Sequence, residues 1–213
     1  MTTGTGHQHL SVDDRRARGD QAAKQTPVPS HADGPPVAGR ADPVELLVEQ
    51  NTTRELDLVP VRHGRMMVSP FTFYRGAAKI MASDLAGTPN SGLEVQLCGD
   101  AHLSNFGGFG SPERQLLFGL NDFDETLPGP FEYDLKRMAA SFTIAARNNG
   151  FGKADTRAVT VESVKAYREA MAGFAGMRTL DVWYAHTSEQ HIQEVMETAA
   201  QDEASAARKA AKD

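Results

Sequence analysis

The placement of the aromatic side chains constrains this chain more than any other feature: none occurs before Phe71, and eleven of the fifteen lie between Phe71 and Phe151. Rings bury more apolar area than other side chains, so the core is expected over 71–151. The start of the chain is the opposite case. Between positions 2 and 43 the only large aliphatics are Leu10, Val12, Val28 and Val37, and five of the eleven prolines (27, 29, 35, 36 and 43) fall there. That composition offers too little burial to offset roughly 1–2 kcal/mol of backbone entropy per ordered residue, which predicts a disordered arm over residues 1–42. One domain is expected over 43–187. From 188 to 213 the sequence is helix-forming but has few large apolar residues beyond Ile192, Val195 and Met196, so a solvated helical tail is expected there.

Periodicity supplies the elements in between. Pro43 ahead of Glu45, Leu46 and Leu47 suits a helix start. Phe73, Ala77, Ile80, Met81 and Leu85 repeat at helical spacing up to Gly87 and Pro89, predicting a helix over 71–86. Leu93, Val95 and Leu97 alternate with polar residues, and QLLFGL at 115–120 is a short apolar run; both read as strands. The glycine-rich segment 107–112 between them reads as a hairpin turn. Leu135, Met138, Phe142 and Ala146 form one helical stripe, predicting a helix over 135–148. Val161, Val164, Tyr167 and Met171 form another, opened by Asp155 or Thr156. The sum is a mainly helical α+β fold. Phe123, flanked by Asp122 and Asp124 in an extended segment, is expected to be buried against the strand before it and the helix after it.

With 22 Lys and Arg against 28 Asp and Glu, the net charge of −6 disfavours nucleic acid or an anionic membrane as a partner. No stretch approaches the ~20 apolar residues of a membrane span, and the N-terminal residues contain no apolar signal-peptide core. Cys98, the single cysteine, cannot form an internal disulfide. A cytoplasmic protein is the expectation.

The chemistry-bearing stretch is Gly99-Asp100-Ala101-His102-Leu103-Ser104-Asn105, directly after one predicted strand, with Asn121-Asp122-Phe123-Asp124 at the end of the next. Phosphoryl transfer needs a carboxylate to position the attacking hydroxyl, and an amide oxygen with a further carboxylate to hold magnesium. Asp100 fits the first role; Asn105 and Asp122, with Asp124 two residues on, fit the second. Turn-forming Asp and Asn also serve simply to cap loops. Arg75 suits either a phosphate contact or an ion pair bracing Asp100 or Asp134.

GDAHLSN, NDFDE and GPFEYDLKR, in that order, resemble the three motif segments of the aminoglycoside-phosphotransferase branch of kinase-like folds. More closely, FTFYRGAA, QLCGDAHLSNFG, LNDFDET and FEYDLKRMAAS resemble the uncharacterised bacterial family known as domain of unknown function 2252, over about residues 45–185. The resemblance implies Asp100 as the catalytic-base position, Asn105 and Asp122 as metal ligands, and Asp134 as a residue bracing the loop. It also implies Mg²⁺ and ATP as cofactors and a small-molecule or protein acceptor. Residues 43–187 would then be the catalytic half of a kinase-like domain with a small β-hairpin. Two departures stand out. Cys98 replaces the histidine that precedes Gly-Asp in phosphotransferases, and no glycine-rich phosphate cover or strand-borne lysine occurs upstream. The expectation is therefore an incomplete Mg-dependent phosphotransferase, inactive as this chain, whose C-terminal half lies beyond Asp213. A binding remnant without turnover is the alternative reading. A metallophosphoesterase, suggested by Gly-Asp-x-His, is the third, although the only downstream histidines are His186 and His191.

Overall fold

The computed structural model describes residues 10–32, 34 and 39–210. In chain order these form α1 (Val12–Gln25), a 3₁₀ turn (Val28–Ala32), α2 (Pro43–Asn51), α3 (Val59–Met66), α4 (Pro70–Arg75), α5 (Ala78–Ala86) and β1 (Glu94–Leu97). A 3₁₀ turn (Leu103–Asn105), β2 (Phe106–Gly110), β3 (Leu116–Leu120), β4 (Leu127–Pro130) and α6 (Glu132–Asn148) follow. The chain continues through α7 (Lys153–Ala175), α8 (Thr179–Trp183), β5 (Thr187–Ser188) and α9 (Glu189–Ala210). The fold is α+β and mainly helical, as expected, and the described helices include none long and apolar enough to cross a membrane. It divides into two compact units: Met1–Asp100 with Asp124–Arg137, and Ala101–Phe123 with Met138–Asp213.

In the first unit, the two-stranded antiparallel sheet pairs β1 with β4, from Glu94↔Pro130 to Leu97↔Leu127. Sequence pattern misses β4 because Leu-Pro-Gly-Pro reads as a turn. A two-stranded ribbon tolerates the prolines, since each of its strands has one edge without a ladder partner. Gly129 gives the Leu97 side chain room in the pairing: a Cβ there would lie 2.8 Å from Leu97 Cδ1 and would displace that methyl group. The helix expected over 71–86 is broken into α4 and α5. The break falls at Gly76, which packs closely on the Met66 side chain of α3: a Cβ would come within 2.6 Å of the Met66 sulfur and would displace that side chain. Ile80, Leu85 and Leu97 are among the buried apolar residues.

The expectation of a disordered arm is corrected at Val12–Gln25. Ser11 and Asp14 form a capping box, the Ser11 hydroxyl accepting from the Asp14 amide at 3.1 Å and the Asp14 carboxylate accepting from the Ser11 amide at 3.1 Å. Ala22 is buried, and the Thr26 hydroxyl donates to the Asn90 carbonyl at 2.8 Å. Counting large aliphatics misses a segment held by caps and one small buried residue. Residues 1–9, 33 and 35–38 of that expected arm, and 211–213 of the tail, lie outside the described residues.

In the second unit, β2 pairs antiparallel with β3, and β3 with β5. The segment read as a turn at 107–112 is largely strand. The turn sits later, closed by the Ser111 amide donating to the Gln115 carbonyl at 2.8 Å, with Arg114 at φ 64°. Helix α6 begins at Glu132 rather than 135, and α7 at Lys153 after Gly152. Phe123 is not buried: it is 54% exposed. The reason is local, since residues 121–126 follow β3 without joining a ladder, so strand alternation does not govern where the ring points.

Candidate functional site

The Asp100 loop is built from the end of β1. After Leu97 the chain turns through Gly99 at φ 86°, where a Cβ would lie 2.7 Å from the Glu125 carbonyl carbon, so both backbone conformation and space demand glycine. The first turn of α6 then grips the loop. Asp134 accepts the Cys98 amide on Oδ2 at 2.7 Å and the Gly99 amide on Oδ1 at 3.0 Å. These charge-assisted bonds satisfy two backbone donors beyond the strand. This is the bracing that the resemblance implied for Asp134.

Three residues further along α6, Arg137 holds the carboxylate of Asp100. Its Nε donates to Asp100 Oδ1 at 2.5 Å, and Nη2 forms an ion pair with the same oxygen. Arg137 is 2% exposed and Asp100 8%, so the pair is buried. Nη2 also donates to the Tyr74 carbonyl at 3.0 Å, and the guanidinium carbon lies 4.5 Å from the centre of the Tyr74 ring. The Tyr74 hydroxyl returns a hydrogen bond to the Arg137 carbonyl at 2.8 Å. Burial pushes the Tyr74 phenol up to about 12, against the opposing pull of the Arg137 charge. Tyr74 and Arg137 thus clamp one another while Arg137 fixes Asp100.

Sequence reasoning left Arg75 either a phosphate contact or an ion pair bracing Asp100 or Asp134. In the structure Arg75 is exposed and enters no ion pair among the described residues, so the bracing alternative falls to Arg137, which pairs with Asp100. The signal lay in the motif itself. In Tyr133-Asp134-Leu135-Lys136-Arg137 the arginine stands three residues after Asp134, which puts both on one face of a helix.

Asn105 and Asp122 belong to the second unit, and Asp124 to the first with Asp100. Within the second unit, the Leu103 amide donates to Ser141 Oγ at 3.0 Å and the Ser141 hydroxyl to the Met138 carbonyl at 2.6 Å, tying the 3₁₀ turn to α6. The Asn105 amide closes that turn on the His102 carbonyl at 2.9 Å. Pairing of Phe106 with Leu120 sets Asn105 opposite Asn121, whose amide donates to the Asn105 carbonyl at 2.9 Å. Asp122 follows directly. Gly107 lets Asn121 lie close, since a Cβ there would be 2.7 Å from Asn121 Nδ2 and would push that amide aside. The Asn105 amide and the Asp122 carboxylate are oxygen donors of the type magnesium takes. Among the described residues, no three His, Cys, Asp or Glu side chains gather as a metal site. His102 is buried, and His186 bonds through Nδ1 to the Tyr184 carbonyl at 2.8 Å.

The family described as an uncharacterized protein conserved in bacteria (DUF2252) matches residues 54–213. No curated protein and no solved structure matches the chain.

Proposed function

We propose, from the premise that the chain belongs to the DUF2252 family, that it carries the carboxylate half of a magnesium-dependent phosphotransferase centre acting from ATP on a small-molecule or protein acceptor. The observation that carries this reading is the Asp100 loop, whose backbone is gripped by Asp134 and whose carboxylate is oriented by Arg137. Such preorganisation is what a loose phosphoryl-transfer transition state asks of a protein, because positioning outweighs proton abstraction there. Asp100 would orient the acceptor hydroxyl as an anionic hydrogen-bond acceptor. Asn105 and Asp122, with Asp124, would hold Mg²⁺, which neutralises phosphate charge when bound. Exposed Arg75 would meet a phosphate. The phosphate cover and its lysine would lie beyond Asp213, and the setting would be the cytoplasm.

The test has two parts. Calorimetric titration of this chain with Mg²⁺–ATP is expected to give binding far weaker than a Kd of ~1 μM, or about −8 kcal/mol, and turnover at background. A Kd near that value overturns the half-centre reading. The gene product extended past Asp213 is expected to transfer phosphate and to lose that activity on Asp100→Asn or Asp122→Asn with its circular dichroism unchanged.

One observation favours a second reading, a ligand-binding module without turnover: Asp100 Oδ1 is already engaged by a buried arginine. Retained nucleotide binding with no transfer in the extended protein would select it.

A further inference from the structure

A second cluster, which shares no residue with the centre above, lies where α6 turns into α7. A cleft of about 420 Å³ is lined by Arg147 in the last turn of α6 and by Lys153 and Arg157 in the first two turns of α7. All three are exposed, and none enters an ion pair among the described residues. No carboxylate lines the cleft.

Two features of this placement are electrostatically adverse. Lys153 and Arg157 are an i,i+4 like-charge pair, and Lys153 stands at the first residue of α7, where the helix dipole disfavours a cation. Asp155 is the acidic residue of that first turn. Its carboxylate is 3.6 Å from where a Gly152 Cβ would lie, and it is not part of the cleft wall. Three cations lining one cleft in a chain of net charge −6 therefore create a local positive field that no carboxylate of the cleft wall offsets, Asp155 being the acidic residue of the same turn.

The rest of the wall is polar and fixed. Thr143 and Thr160 share a hydrogen bond at 2.7 Å across the two helices, and the Thr160 hydroxyl also reaches the Thr156 carbonyl at 2.8 Å. Buried Thr156 anchors the start of α7, its amide donating to the Gly152 carbonyl at 2.9 Å. The cations thus stand on two helices whose relation is locked by hydroxyls, not on a mobile loop. Phe151, 51% exposed, contributes a ring to the same wall.

We propose that this cleft binds a free phosphorylated anion carrying at least two negative charges, of the diphosphate or phosphate-ester class. Two guanidinium forks and an ammonium match phosphate oxygens, and the Phe151 ring leaves room for an apolar or aromatic body on the ester.

Magnesium-free pyrophosphate is the probe. Calorimetry on the whole chain is expected to show saturable binding, with Arg147→Gln, Lys153→Gln and Arg157→Gln each weakening it roughly tenfold, as loss of one charge-assisted contact implies. Asp122→Asn should leave it unchanged, which separates this site from the proposed phosphotransfer centre. Because the three side chains are exposed, circular dichroism of the variants is expected to match wild type. Absence of saturable binding up to about 10 mM pyrophosphate, or equal binding by the triple variant, overturns the proposal. Vesicles of anionic phospholipid and a single-stranded oligonucleotide form the remaining arms. Capture of either through the same three residues, without competition by pyrophosphate, would assign the cleft to a macromolecular polyanion and overturn the free-anion assignment.

Discussion

Replacing Arg137 with Met tests the clamp around Asp100. The substitution keeps an apolar stem against the Tyr74 ring but removes the charge, leaving a carboxylate that is 8% exposed without its guanidinium. Breaking a buried pair by deleting one partner costs about 3–5 kcal/mol. The Tyr74 carbonyl loses its donor in the same step. Against a total stability on the order of 5–15 kcal/mol, that is a fifth or more of the whole. In a chain of 213 residues each kcal/mol moves Tm by roughly 2–4 °C, so a fall of about 6–20 °C is expected. Urea unfolding followed by circular dichroism is the assay, and the loss should fall on the transition of the first unit, which holds both partners. Adding Asp100→Leu to Arg137→Met should recover stability, because an apolar pair of similar volume removes the stranded charge. A loss below about 1 kcal/mol for the single variant, or a double variant less stable than the single, would refute the reasoning.

The Tyr74 phenol, raised to about 12 by burial, stays neutral in the folded chain while the unfolded chain ionises near 10.0. Its stabilisation is therefore present below pH 10 and is lost as pH rises from about 10 to 12, so Tm should fall more steeply over that window in wild type than in Tyr74→Phe. Equal slopes would contradict this. Asp134→Asn replaces one of two carboxylate acceptors by an amide donor and should cost about 1–3 kcal/mol, with hydrogen exchange accelerated at the Cys98 and Gly99 amides. Gly99→Ala forces a methyl group into the Glu125 backbone from a φ of 86° and should destabilise by about 2 kcal/mol or more in the same urea assay.

Periodicity made β1, β3, α6 and α7 legible, because each of them repeats apolar residues at the spacing of its element. It misjudged α1, whose order comes from a capping box and one buried alanine rather than from an apolar stripe. It also missed β4, where proline suggests a turn, and β2, whose glycines, Gly107 beside Asn121 among them, read as a loop. The aromatic count located the right segment for the core, yet the buried apolar residues there are small or aliphatic, and Phe73, Phe109, Phe118 and Phe123 stay exposed. Motif spacing singled out Asp100, Asn105 and Asp122, while Arg137 escaped it. Its place on the helix face of Asp134 was legible in the Tyr-Asp-Leu-Lys-Arg segment, but its partner emerges only where α6 meets the end of β1.

The metal-holding role proposed for Asn105 and Asp122 can be tested by substoichiometric Mn²⁺ added during nuclear magnetic resonance of the backbone amides. Paramagnetic broadening is expected first at Asn105 and Asp122, reversed by excess Mg²⁺ and abolished in Asp122→Asn; broadening centred elsewhere, or unchanged in that variant, would contradict the account.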